Sequence, residues 1–99
     1  MKSIRIHAKE WFDKANGNSY FSARIYIDGD QVTVLPFQYG YGDHYIDMAN
    51  QWLAENGYTE NGQHENGSRE PLWSYCNIMD INLFTTKQER CLKRELDKV

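Results

Sequence analysis

Tyr20-Phe21-Ser22-Ala23-Arg24-Ile25-Tyr26-Ile27-Asp28-Gly29-Asp30-Gln31-Val32-Thr33-Val34-Leu35-Pro36-Phe37 decides the fold. Two runs rich in β-branched and aromatic residues flank Asp28-Gly29, a dipeptide suited to a two-residue hairpin because both positions accept positive φ. Such a turn sets Ile25 opposite Val32 and Ala23 opposite Val34. Pro36 has no N–H to give to a ladder, so the second run belongs at a sheet edge or ends there.

Upstream, Ile4, Ile6 and Ala8 alternate with Arg5, His7 and Lys9, the pattern of a half-buried strand. Asn16-Gly17 then offers a second hairpin turn, which sets Phe12 opposite Phe21, Ala8 opposite Ile25 and Ile6 opposite Ile27. Both turns nominate the same inner face: Phe21, Ala23, Ile25 and Ile27. A one-residue slip would expose that whole set. Glu10 falls on the inner parity, which predicts a bulge near residues 9–11. The outer face collects Arg5, His7, Lys9, Trp11, Tyr20, Arg24 and Tyr26.

Downstream, Asp43 is suited to N-cap a helix with its carboxylate, and Tyr45, Ala49, Trp52 and Leu53 form an apolar stripe at helical spacing. Gly57 followed by Tyr58 predicts a Schellman ending. Residues 59–68 are polar and glycine-punctuated and read as a mobile loop. Pro71 to Met79 reads as a short helix, and Ile81 to Thr85 as a candidate fourth strand. Thr86 with Glu89 forms a capping box for a last helix, Lys87 to Lys98. The expected fold class is α+β, a single domain over residues 1–99. A three-stranded antiparallel meander leads into an amphipathic helix, then a short helix, the fourth strand and a C-terminal helix.

The chain has 99 residues, 40% apolar and 14% aromatic, enough for a core without disulfides or metal. Cys76 and Cys91 do not make a disulfide framework, no apolar run is long enough to span a bilayer, and the N-terminus lacks a signal-peptide pattern. These features point to a cytoplasmic protein. The net charge of −3 is unevenly spread. Residues 1–27 carry five bases and two acids, residues 28–66 carry seven acids and no Lys or Arg, and the remainder six bases and five acids. Such a division predicts two surfaces of opposite sign.

Catalytic signatures are absent from the pattern. His7, His44 and His64 stand at no metal-ligand spacing with each other or with the cysteines, so no metal or cofactor is expected. Asp43-His44 lacks the third group and oxyanion donor of a nucleophilic site. Two binding surfaces remain. Tyr39-Gly40-Tyr41-Gly42, followed by Asp43 and Asp47, combines close backbone approach, rigid rings and acids, suited to a protein partner. The sheet's outer face, through Arg5, Lys9, Trp11, Arg24 and Tyr26, pairs cations with rings, the combination that holds single-stranded nucleic acid. The overall acidity opposes tight nucleic-acid binding, because that affinity rests on phosphate neutralisation. Homodimerisation is open.

Trp11-Phe12-Asp13, Asn16-Gly17-Asn18-Ser19-Tyr20, Phe37-Gln38-Tyr39-Gly40-Tyr41-Gly42-Asp43-His44-Tyr45 and Leu72-Trp73-Ser74-Tyr75-Cys76 resemble the pattern of small bacteriophage- and prophage-encoded proteins. The similarity covers about residues 4–85. It implies a phage or mobile-element setting, strands followed by a helix, and no catalytic residues. By analogy with small acidic phage proteins it also implies capture of a host protein, including components of defence systems such as CRISPR complexes.

Overall fold

The computed structural model describes residues 1–40, 42–63 and 67–89. Its elements are β1 (Ser3–Asp13), β2 (Asn18–Ile27), β3 (Asp30–Tyr39), α1 (His44–Glu55), α2 (Leu72–Ile78) and β4 (Asn82–Gln88). The sheet order is β3-β2-β1-β4. β1, β2 and β3 form the expected antiparallel meander, and β4 adds to β1 in parallel, so the sheet is mixed and β1 is an interior strand.

The inner face is the one the two turns nominate. Ile4, Ile6 and Ala8 of β1, Phe21, Ala23 and Ile25 of β2 and Leu35 of β3 are buried, with Ile27 packed against them. Tyr45, Ala49 and Leu53 of α1 and Leu72 and Cys76 of α2 close over this face. Burial pushes the Cys76 thiol pKa up, consistent with an inert core group.

The first hairpin differs from the two-residue expectation. β1 and β2 pair through Asp13↔Asn18, leaving a four-residue loop, so that Phe12 faces Ser19, Ala8 faces Ala23 and Ile6 faces Ile25. Asp13 causes this. Its carboxylate accepts from the Ala15 amide at 3.1 Å and the Asn16 side-chain amide at 2.7 Å, and its carbonyl accepts from Gly17 N at 2.8 Å. The shift is two residues, so no side chain changes face.

At the second hairpin the two-residue turn forms, with Ile27 paired to Asp30 and Asp28 at φ 50°. Asp28 also accepts the Lys2 and Ser3 amides at 2.7 and 2.9 Å, bonds that hold its pKa below the usual carboxylate range. Beyond the turn β3 bulges twice, so Ile25 faces Thr33 and Ala23 faces Leu35 instead of Val32 and Val34. The second bulge falls beside Pro36, where a missing donor costs the ladder least.

The bulge expected near residues 9–11 is absent, because β1 pairs β2 without interruption from Ile4 to Asp13. Glu10 keeps the inner parity and is half-buried there against Lys87, whose Nζ lies 3.1 Å from its carboxylate and also donates to the Gly42 carbonyl at 3.2 Å. Desolvation pulls the Lys87 pKa down, but the Glu10 carboxylate, and beyond it Glu89, outweigh burial and raise it overall.

The α1 stripe is as expected, with Asn50 buried beside it. Asp43 occupies the N-cap, yet its side chain makes no capping bond, and its backbone carbonyl accepts from Ile46 N at 2.9 Å. At the other end Gly57 has φ 78°, Tyr58 N donates to Leu53 O at 2.9 Å, and the Tyr58 ring stacks on Trp52 at 5.5 Å. The loop read as mobile is anchored at its start: Asn61 is buried, donating to the Asn50 side chain at 2.9 Å and the Glu70 carbonyl at 2.8 Å. α2 is one residue shorter at each end than read, with Pro71 as N-cap. The fourth strand is longer and runs through Gln88, so Thr86 and Lys87 are strand residues and the capping box does not form. The rest of the expected C-terminal helix lies outside the described residues.

Candidate functional site

Both helices lie on the inner face, and among the described residues no helix crosses the outer one. Strand pairing sets its side chains in rows. Arg5 is flanked by Tyr26 and Phe84, and His7 by Arg24 and Thr86. Lys9 lies between Ser22 and Gln88, and Trp11 beside Tyr20, which is paired in turn with Tyr39. Neighbours within a row are about 4.8 Å apart, and successive rows about 7 Å.

At the end nearest the Asp28-Gly29 turn this face forms a groove of about 710 Å³, lined by Ser3, Arg5, His7, Arg24, Tyr26, Gly29, Phe84 and Thr86. Phe84 is 56% exposed, a large apolar ring held in solvent on the strand beside β1 at the end of the sheet order. His7 Nδ1 lies 2.7 Å from Thr86 Oγ1. Its pKa is lowered, first by burial and then by the charges of Arg24, Lys9 and Arg5. Three cations thus surround His7 on this face, although the whole chain is acidic. Among the described residues none of Arg5, Lys9 and Arg24 is in a salt bridge.

At the opposite end the rings gather. Tyr20 stacks on Phe37 at 5.0 Å and on Trp11 at 5.6 Å, and meets Tyr39 edge-on at 5.8 Å. Trp11 and Phe37 are 6.4 Å apart. The alternative set read from the sequence, Arg5, Lys9, Trp11, Arg24 and Tyr26, is thus brought onto one surface. Reading Thr86 and Lys87 into a helix start hid the contribution of Thr86, while Phe84 fell within the expected fourth strand, whose docking beside β1 the sequence did not reveal. The β-branched run Thr85-Thr86 after Leu83-Phe84 was the available signal.

The other set is brought together in part. Tyr39, Gly40, Asp43, His44 and Asp47 line a shallow hollow of about 430 Å³ at the start of α1. Tyr39 is exposed, whereas Gly40 is buried and packed against Phe21 and His44. Tyr41 lies outside the described residues. α1 carries Asp47 and Glu55 and no Lys or Arg, so the helical layer opposes the sheet face in sign.

Among the described residues no three His, Cys, Asp or Glu side chains gather as a metal site, and no helix is long and apolar enough to cross a membrane. Comparisons with protein-family models, curated proteins and solved structures return no match.

Proposed function

We propose that the chain is a non-enzymatic binding protein whose outer sheet face takes single-stranded nucleic acid. The observation that carries this reading is the coincidence of three cations, Arg5, Lys9 and Arg24, with Trp11, Tyr26 and Phe84 on a face no described helix covers. Cations attract phosphates, rings stack on bases without regard to sequence, and a sheet displays both at regular spacing. The net charge of −3 lowers the long-range attraction, but a local patch of like charge governs the contact itself.

The test is titration of a fluorescein-labelled oligothymidine at 20 and 200 mM salt, followed by anisotropy. Three phosphate contacts give a slope of log affinity against log salt of about −2. Absence of binding at 20 mM salt refutes the proposal.

A second reading rests on the hollow beside Tyr39, where a rigid exposed ring stands next to Asp43 and Asp47. With the phage setting implied by the resemblance, it describes an accessory protein that captures a host protein, such as a component of a CRISPR or other defence system. Replacing Tyr39 and Tyr41 with Ala then abolishes capture from host lysate, whereas Arg5→Ala leaves it intact.

A further inference from the structure

The rings of the outer face are of two kinds. Trp11, Tyr20, Phe37 and Tyr39 contact one another, and Tyr20 is stacked by Trp11 at 5.6 Å and by Phe37 at 5.0 Å. Tyr26 and Phe84 have no ring contact among the described residues, and Phe84 is exposed. Both line the groove, one on either side of Arg5 in the same row. Open ring surface and the guanidinium groups of Arg5 and Arg24 therefore coincide there. Resting on the nucleic-acid reading, we infer that the groove is a single-nucleotide site for a phosphate monoester, with Arg5 and Arg24 holding the phosphate and the exposed ring of Phe84 stacking the base.

Charge favours a monoester. No acid lines the groove, and Asp28 of the adjoining turn gives its carboxylate to the Lys2 and Ser3 amides. A phosphate monoester carries a charge of about −1.5 to −2 at neutral pH, which two guanidinium groups balance, whereas an internal diester carries only one negative charge. Arg5 pairs with Tyr26 and Arg24 with His7, so the two arginines are diagonal neighbours across β1 and β2. Such positions lie about 7–8 Å apart, within reach of two long side chains converging on one group, and each planar fork binds phosphate oxygens bidentately. His7 Nδ1 is tied to Thr86 Oγ1 at 2.7 Å, and its Nε2 has no partner among the described residues. Size favours one nucleotide. The groove is three strands wide, about 10 Å, and its volume of about 710 Å³ is that of a small-molecule site. Beyond it the rings already stack on one another, so a longer strand gains the charge of Lys9 but no second base stack.

The experiment has two arms, both on the full chain at low salt. Anisotropy compares a 3′-fluorescein oligothymidine with and without a 5′-phosphate, and calorimetry titrates thymidine 5′-monophosphate and inorganic phosphate directly. The 5′-phosphorylated strand is expected to bind about tenfold more tightly than its 5′-hydroxyl counterpart, the contribution of one added charge-assisted contact. Thymidine 5′-monophosphate should bind about tenfold more tightly than inorganic phosphate, the contribution of one stacked base. Arg24→Gln should abolish the preference for the 5′-phosphate, and Phe84→Ala should bring the monophosphate down to the level of inorganic phosphate. Both side chains project from the face opposite the core, and circular dichroism of each variant checks that the fold is retained. Equal affinity with and without the 5′-phosphate, or equal affinity for the monophosphate and inorganic phosphate, overturns the single-nucleotide inference while leaving nucleic-acid binding in place. Binding of the monophosphate without binding of either oligothymidine upholds the groove and refutes the strand reading. No binding of any probe overturns both.

Discussion

Gly40→Ala is the sharpest test of how the strand-to-helix connection is built. A Cβ on Gly40 would lie 2.6 Å from His44 Cδ2 and 2.7 Å from Phe21 Cε1, with Phe21 Cδ1 at 3.0 Å. The His44 ring is exposed and can swing aside, but Phe21 is only 2% exposed and is held by the core on its other side. The backbone cannot retreat freely either, because Gly40 N donates to Ser19 O at 3.0 Å. Overpacking of this kind costs about 2 kcal/mol, which for a domain of this length lowers Tm by roughly 8–16 °C. Gly42, two residues on, provides the control. It has φ 60° and open space where a Cβ would go, so Ala there costs about 1 kcal/mol, from left-handed backbone alone. Urea unfolding followed by tryptophan fluorescence ranks them: Gly40→Ala below Gly42→Ala, both below the parent. Gly40→Ala with His44→Ala recovers part of the loss, because only one of the two close contacts is relieved. A Gly40→Ala midpoint equal to the parent's, or a larger loss at Gly42, refutes close approach to Phe21 as the reason for glycine at position 40.

The remaining predictions concern the two charged features. Glu10→Gln should lower stability by about 1–2 kcal/mol by removing the nearer of the two carboxylates paired with half-buried Lys87 and leaving only the more exposed Glu89 at 3.4 Å, and pairing it with Lys87→Met should recover most of that loss; additive losses in a double-mutant cycle would show that the pair is not coupled. His7 gives a pH signature. Its folded pKa lies below the ordinary value, so the unfolded chain takes up the proton first, and stability contributed by neutral His7 is present above about pH 6.5 and lost as pH falls through the folded pKa. His7→Gln should therefore shrink the difference in urea midpoint between pH 7.5 and 5.5, and an undiminished difference would assign it to other groups. An anionic strand on the face should favour the imidazolium, so binding tightens on acidification in the parent and not in the variant.

The face assignments were legible in the sequence because strand periodicity is two and errors of even size leave it intact. The first hairpin shows this: Asp13 captures its own loop and shifts pairing by two, yet Phe21, Ala23 and Ile25 stay inside. What stayed illegible depends on contacts distant in the chain. An acid at an inner position predicts a bulge when only the local pattern is read, whereas the fold answers Glu10 with Lys87, 77 positions away. The same cross-chain pairing turns Thr86 and Lys87 from a helix start into strand. The cations and rings of β1 and β2 were readable as one surface, but the addition of Phe84 and Thr86 to it, and the stacking of Phe37 on Tyr20, required β4 and the bulged course of β3.

The parallel docking of β4 has a consequence for the order in which the binding face is completed. Its strand partner β1 is the first to be synthesised, and β4 emerges only after both helices. Until residues 82–88 dock, β1 presents an unpaired edge, and the groove lacks Phe84 and Thr86. These are contacts of high sequence separation, which form late and slowly because the loop entropy must be met first. The proposed binding face is thus complete only once residues 82–88 have docked, and a molecule in which they are undocked or cleaved away carries an open β1 edge prone to pairing with others of its kind.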